Sequence, residues 1–337
     1  MSEQRKKSFK NSKSKGNKVK TEANPKTRLH PRNPHKGPYY LDQLVKLVPE
    51  LEEYLTLNVR GEQTVKFAEP EAVLFLNKAL LIAHYDIKYW EIPEGFLCPP
   101  VPGRADYIHY MADLLAGSNI GKQPNGEKIT CFDIGVGANC IYPIIGTHTY
   151  GWNFIGSDTD TRAKKAATEI VENNKRLKGK VEIKLQPLMK DILYGIIDHD
   201  SKLDLTICNP PFHASREAAS ESSLRKQSNL HKKEVKDSVL NFGGKGGELW
   251  CEGGERRFVS EMIRQSKMFA KNCFWYSTLV SKQSNLKAFQ DNLDYNQATD
   301  VRVISMSQGN KSSRILAWTF LDKEQQKEWR KERWGDK

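Results

Sequence analysis

Cys131-Phe-Asp-Ile-Gly-Val-Gly-Ala-Asn139 decides how the second half of this chain is read. An apolar run enters Asp133, a turn with two glycines follows, and the residues beyond it suit a helix. Gly135 and Gly137 permit a tight turn and the close approach of a ligand to backbone. At the carboxyl ends of parallel strands such a turn borders a ligand crevice. The spacing is G-x-G, without the third glycine of a dinucleotide fingerprint. Alone, it fits a plain strand-to-helix turn equally well.

Outward from this turn, β-rich runs alternate with helical ones. The runs are Ile129–Ile134, Asn153–Ser157, Val181–Leu185, Leu203–Cys208, Phe274–Val280, Val301–Met306 and Ile315–Leu321. Helical patterns include Thr161–Leu177 and Glu255–Phe269. The alternation predicts an α/β fold, a mostly parallel sheet covered on both faces. The short link Ser307–Arg314 predicts an antiparallel hairpin at the sheet end. The second run, Asn153-Phe-Ile-Gly-Ser-Asp158, ends in an acid suited to accept both ribose hydroxyls of a nucleoside. Its structural alternative is a helix N-cap, and Asp160 lies close enough to be confused with it. In the nucleoside reading Asp133 faces the amino-acid end of the cofactor.

The fourth run, Leu203-Asp-Leu-Thr-Ile-Cys208, meets Asn209-Pro210-Pro211-Phe212. Two prolines after an apolar strand stop the sheet and leave a rigid loop. An exocyclic NH2 offers two donors; the Asn209 amide oxygen and the Pro210 carbonyl are two acceptors. Phe212 can stack on a base. Held this way, the amino nitrogen can aim its lone pair at a methyl group, and alignment supplies much of the acceleration. By itself the tetrapeptide also suits a structural turn. Placed after the glycine turn of the first strand, it points to methyl transfer onto an amino nitrogen.

The rest of the chain sets the context. Among 337 residues, 53 Lys and Arg against 41 Asp and Glu leave a net charge of +12, which suits a polyanionic partner. Residues 1–35 are lysine-rich and nearly without large apolar side chains, which predicts a disordered basic tail. Residues 36–122 read as a helical subdomain, with a stripe from Leu41 to Leu51 broken near Pro49, a second from Glu71 to Tyr85 and a third from Tyr107 to Leu115. Residues 123–337 form the α/β domain. Within it, residues 213–252 are polar and then glycine-rich, and are expected to order as a lid over the bound ligands. The six cysteines show no C-x-x-C pair and no zinc spacing, so no metal is expected. No apolar run reaches membrane-spanning length and no signal-peptide segment opens the chain, which implies a soluble cytoplasmic protein.

With these motifs in hand, the stretch from about Asn33 to Phe320 resembles the bacterial RlmF family, large-subunit ribosomal RNA adenine-N6 methyltransferases of the class I, Rossmann-like fold. It is also similar to a eukaryotic methyltransferase-like enzyme acting on RNA adenine. The resemblance is carried by Asn33–Lys36, Pro102–His109, Asp133–Ala138, Asn209–Phe212 and Gly243–Gly254. It implies S-adenosyl-L-methionine as cofactor, a seven-stranded sheet, and 23S ribosomal RNA or a large-subunit assembly intermediate as partner. It also implies cofactor contacts from Arg104, Asp133, Gly135, Gly137 and Asp158. Asn209, Pro210, Pro211 and Phe212 match the catalytic tetrapeptide. The residues alone leave three alternatives: a protein glutamine-N5 methyltransferase, a DNA methyltransferase, or a binding module without activity. Lys36, Arg225, Lys226, Lys232 and Lys233 are candidate phosphate contacts, and Tyr39, Trp90 and Trp250 candidate stacking residues. With no self-association signal, a monomer is expected.

Overall fold

The computed structural model of the chain describes residues 20–21, 29–215, 217–218, 249–308 and 311–335. Its first half holds β1 (Lys20–Thr21), α1 (Leu41–Leu47), β2 (Leu55–Leu57), β3 (Gln63–Val65), α2 (Pro70–Tyr85) and α3 (Val101–Ser118). Its second half holds β4 (Thr130–Ile134), α4 (Ile141–Tyr150), β5 (Asn153–Asp158), α5 (Thr161–Glu172), β6 (Val181–Leu185) and β7 (Leu203–Cys208). These are followed by α6 (Gly254–Met268), β8 (Cys273–Val280), α7 (Leu286–Tyr295), β9 (Asp300–Gln308), β10 (Lys311–Thr319) and α8 (Lys323–Trp329).

The strands of the second half form one sheet in the order β6-β5-β4-β7-β8-β10-β9, and the two-residue β1 extends it beside β9. From β6 to β8 all pairs are parallel; β10 runs antiparallel to both β8 and β9. This is the expected mostly parallel sheet with a hairpin at its end. The hairpin strands run further than apolar content alone indicated, to Gln308 and from Lys311. Central β7 and β8 are buried along their whole length, as two helical layers require.

Three features of the first half depart from the expectation. Residues 30–35, placed in the tail, pack as a strap on α3. The side chain of Asn33, fully buried, donates to the Pro102 carbonyl at 2.8 Å and to Asp106 at 2.5 Å, while Asp106 also accepts the His30 amide at 2.9 Å. Composition concealed this, because the strap is held by polar pairing and buries few apolar groups. Next, the stretch expected to be helical contains the hairpin β2–β3. Its turn is set by Asn58, whose side chain accepts from the Arg60 and Glu62 amides, and by Gly61 at φ +76°. Finally, the helices divide between two cores. Leu44, Leu51, Val65, Leu76 and Leu80 form a small one, whereas Tyr107, Ile108, Met111 and Leu115 of α3 join the core of the sheet.

α5 ends at Glu172, short of Leu177, because Asn174 is diverted: its buried side chain pairs with the backbone of Lys88 and Tyr89 at 2.7 Å each. α8 was not anticipated. Asp322 and Gln325 start it with a reciprocal capping box. Its end is pinned under the sheet by Asp204, fully buried in β7, which accepts the Trp329 indole at 2.8 Å, the Trp334 indole at 2.7 Å and the Arg333 guanidinium at 2.8 Å. Among the described residues, no helix is long and apolar enough to cross a membrane.

Candidate active site

Sheet order reverses between β4 and β7: connections from β4 lead one way, through β5 to β6, and from β7 the other way. At such a point the loops leaving the strand ends diverge and open a crevice. A cavity of about 630 Å³ lies there, with Arg104, Gly135, Gly137, Asp158, Asn209 and Pro211 in its wall. Three other residues singled out in the sequence lie outside the wall. Asp133 is fully buried beneath the glycine turn, Pro210 is buried, and Phe212 is half-buried as the chain leaves Pro211.

The glycine turn is stapled to β5. The amides of Gly135 and Val136 donate to the Ser157 carbonyl at 3.0 and 2.9 Å. Gly135 has φ +75°, and a Cβ added to it would meet nothing within 4 Å, so its open side faces space that a ligand can fill. Asp158 closes the turn from the other side. One of its carboxylate oxygens accepts the Gly137 amide at 3.0 Å, the other the Asp160 amide at 2.9 Å. Asp158 is thus not the helix cap. That role belongs to Asp160, which accepts from Arg162 and Ala163 at the start of α5. Burial raises the Asp158 carboxyl above its ordinary range.

Asp133 and Arg104 make an incomplete pair. Neither carboxylate oxygen of Asp133 has a hydrogen-bond partner. Burial pushes its carboxyl well above the usual range; the charge of Asp158 adds to this and that of Arg104 opposes it. Arg104, in the first turn of α3, donates to the Tyr142 hydroxyl at 3.0 Å and lies 5.7 Å from the Tyr142 ring centroid. Its Nε is buried without a partner. A ligand carrying both an ammonium and a carboxylate satisfies both residues at once. The α3 strap bears on this directly, because Asn33 fixes the Pro102 carbonyl two residues before Arg104.

Asn209 ends β7 with its Oδ1 buried and unpartnered. Behind it stands a network that the sequence did not reveal. The Ser277 hydroxyl donates to the Thr206 carbonyl at 2.5 Å. Having only one proton, it must accept from the Tyr107 hydroxyl, 2.8 Å away. Tyr107 in turn accepts the Cys208 amide at 3.4 Å. Burial raises the Tyr107 phenol well above its ordinary value, so it stays neutral. Tyr107 read only as part of an apolar stripe; its hydroxyl was the available signal.

The chain beyond Phe212 returns to the cavity. His213 bridges to Trp250: its amide donates to the Leu249 carbonyl and its carbonyl accepts the Cys251 amide, both at 3.1 Å. Trp250 and Cys251 line the cavity. Gly254, at φ +60°, lets α6 start against this bridge, since a Cβ there would come within 3.1 Å of the Ala214 nitrogen. The buried Glu255 then accepts the Ser281 amide at 2.5 Å and the Asn285 side chain at 2.7 Å. The end of the glycine-rich segment is therefore a structural corner. Most of the expected lid at 213–252, with Arg225, Lys226, Lys232 and Lys233, lies outside the described residues. Of the other candidate RNA contacts, Lys36 is exposed, whereas Trp90 is buried with its indole on the Asn139 carbonyl at 2.8 Å, a packing role. Tyr39 is half-buried against the small helical core.

The sheet order and the crevice at its reversal define a class I methyltransferase-like fold. A family model described as RNA methyltransferase matches residues 23–322. The chain belongs to that RNA methyltransferase family. It is 55% identical over 309 residues to the ribosomal RNA large subunit methyltransferase F of Cytophaga hutchinsonii, covering 92% of this chain and 96% of that one. The enzyme of the same name from Pseudomonas aeruginosa is 49% identical over 308 residues, covering 91% and 92%. Among solved structures, the human METTL16 catalytic domain in complex with MAT2A 3′UTR hairpin 1 is similar with a TM-score of 0.75 and 29% identity, covering 88% of this chain and 97% of that one. The N-terminal domain of human METTL16 in complex with SAH gives a TM-score of 0.69 at 27% identity, covering 88% and 100%.

Proposed function

We propose that this protein transfers a methyl group from S-adenosyl-L-methionine to the N6 amino group of one adenine in 23S ribosomal RNA. The observation that carries the chemistry is the buried, unpartnered Oδ1 of Asn209 in the wall of a cavity that Arg104 and the glycine turn also line, with the unpartnered Asp133 buried beneath that turn. The ribosomal substrate rests on the likeness to the large-subunit enzymes.

The cofactor supplies an electrophilic methyl group on a sulfonium. Asp133 would hold its ammonium and Arg104 its carboxylate, which would offset the desolvation of the unpartnered Asp133 carboxylate and Arg104 Nε. Asp158 accepts from the ribose, and Gly135 and Gly137 keep the turn low enough for the nucleoside to lie across it. Asn209 Oδ1 and the Pro210 carbonyl would accept hydrogen bonds from the two N6–H groups and hold the nitrogen for attack on the methyl group. Both oxygens also stabilise the positive charge that grows on the nitrogen. Neither needs to act as a strong base, because the alkylated nitrogen carries an acidic proton that it gives up to water. Phe212, next to the cavity-lining Pro211, would supply a ring to stack on an extruded base, since N6 inside a helix is out of reach of a deep pocket.

In this reading residues 36–122, with the strap ahead of them, cover the cofactor and hold RNA, and residues 123–337 carry the transfer. The protein acts as a cytoplasmic monomer on the RNA or on an assembling large subunit. Nucleoside mass spectrometry of large-subunit RNA from cells carrying wild-type protein or Asn209→Ala tests this. The expected result is N6-methyladenosine lost at one site in the variant and restored by wild-type protein with cofactor in vitro. The initial rate of the variant should fall about 10²–10³-fold. An unchanged set of RNA nucleosides overturns the reading in favour of a protein glutamine.

A further inference from the structure

Beside Arg104 Nε and Asn209 Oδ1, the cavity wall holds a third buried polar atom without a partner. The indole Nε1 of Trp250 is shielded from solvent and meets no acceptor among the described residues. A buried donor left unpaired is costly, and at the wall of a cavity it marks where a ligand acceptor belongs. Packing does not account for it: Trp90, Trp152, Trp275, Trp318, Trp329 and Trp334 all donate to a named oxygen. Trp250 lines the same cavity as Asn209, and its backbone is bridged to His213, four residues after Asn209.

We propose that Trp250 is a specificity-determining residue that donates its indole N–H to a ring nitrogen of the target base, beside the amino group held by Asn209. The inference rests on the adenine reading above and deepens it. The N6 amino group of adenine lies between N1 and N7, and both are acceptors. An acceptor from Asn209 and a donor from Trp250 therefore match an adenine edge in either orientation. On guanine the amino group lies between the N1–H donor and the N3 acceptor, so only one orientation matches, and in the other N1–H would face the indole N–H donor to donor. The pair thus favours adenine, which matches in both orientations, and stacking by Phe212, which every base satisfies, is left to supply affinity.

The test uses the full-length protein and the shortest large-subunit RNA fragment that it methylates, with the accepting adenosine replaced by 1-deazaadenosine or 7-deazaadenosine. Each replaces one ring nitrogen by C–H and keeps the amino group. Wild-type protein should lose about ten- to a hundredfold in single-turnover rate with one analogue and little with the other. Trp250→Phe keeps the ring and removes the N–H. It should show the same loss with adenosine, and no further loss with the sensitive analogue. Its affinity for S-adenosylhomocysteine should stay at the wild-type value. If wild-type protein methylates adenosine but both analogues react as well, or if Trp250→Phe still discriminates the analogue, the inference falls and the adenine reading stands. A cofactor affinity that drops with the rate would assign the indole to the cofactor instead. If no adenosine fragment is methylated at all, the adenine reading falls and takes the inference with it. The analogue arm with wild-type protein needs no variant, so a folding defect does not obscure the result.

Discussion

Asp133 shows the conflict between stability and binding at the level of a single residue. A carboxyl group with no hydrogen-bond partner, fully buried and close to the charge of Asp158, destabilises the empty fold. Asp133→Asn removes that charge at nearly constant volume. The free variant is expected to be more stable than wild type by about 1–3 kcal/mol in urea titration. Its affinity for S-adenosylhomocysteine, measured by calorimetry, should fall at least about tenfold, because the ammonium loses its counter-charge. A variant that is less stable and binds equally well would remove Asp133 from the cofactor site. The neighbouring Asp158 differs in kind. Its oxygens already accept two backbone amides, so it shapes the glycine turn even without a ligand.

Among the elements, α8 is the one whose role is least visible from its own residues. Seven residues are too few for a stable helix alone. It is held by Asp204 of β7, which gathers two indoles, a guanidinium and the Thr130 amide at the amino ends of the central strands. Asp204→Ala leaves Arg333 without its counter-charge and three buried or half-buried donors unpaired. The expected loss is about 3–5 kcal/mol in chemical denaturation, with α8 becoming sensitive to protease before the rest of the chain. Since the cavity opens at the opposite ends of these strands, cofactor affinity of the protein that remains folded should be unchanged. The strap at 30–35 has the converse character. It lies far from Asn209 in sequence yet sets the first turn of α3, from which Arg104 enters the cavity.

Across the whole molecule, a cluster of histidines joins the strap, α2, α3 and α4. His35 lies among His84, Tyr85 and Tyr39, and His109 among His30, Arg32, Asp113 and Tyr150. Burial first, then neighbouring positive groups, lowers His35 to about 3 and His109 to about 4, from the ordinary value of 6.5. Both are neutral in the folded protein at neutral pH. Below about pH 6.5 the unfolded chain binds protons that the fold refuses, so stability falls as pH decreases. Each residue contributes a slope of about 1.4 kcal/mol per pH unit, His109 down to about pH 4 and His35 further, to about 3. Urea midpoints measured at about pH 7, 6 and 5 should therefore fall steadily, and His109→Gln should flatten the decline. A midpoint independent of pH over that range would show that neither site resists protonation.

The alternation of runs, the glycine turn, the acid at Asp158 and the proline-stopped strand were legible in the sequence, because each is a local pattern: backbone period, turn chemistry or the missing N–H of proline. Local patterns also placed the helices from Pro70 and from Gly254 to within a residue of their starts. What only tertiary structure decided are the matters that depend on partners distant in the chain. Whether Asp158 or Asp160 caps a helix turned on which amides each carboxylate meets. Whether Trp90 and Trp250 are alike turned on one finding a carbonyl and the other none. The strap, Tyr107 and Asp204 looked like tail, apolar stripe and strand residue, since the free energy of a buried polar group is set by the hydrogen bond it completes across the fold, which no neighbour in sequence records.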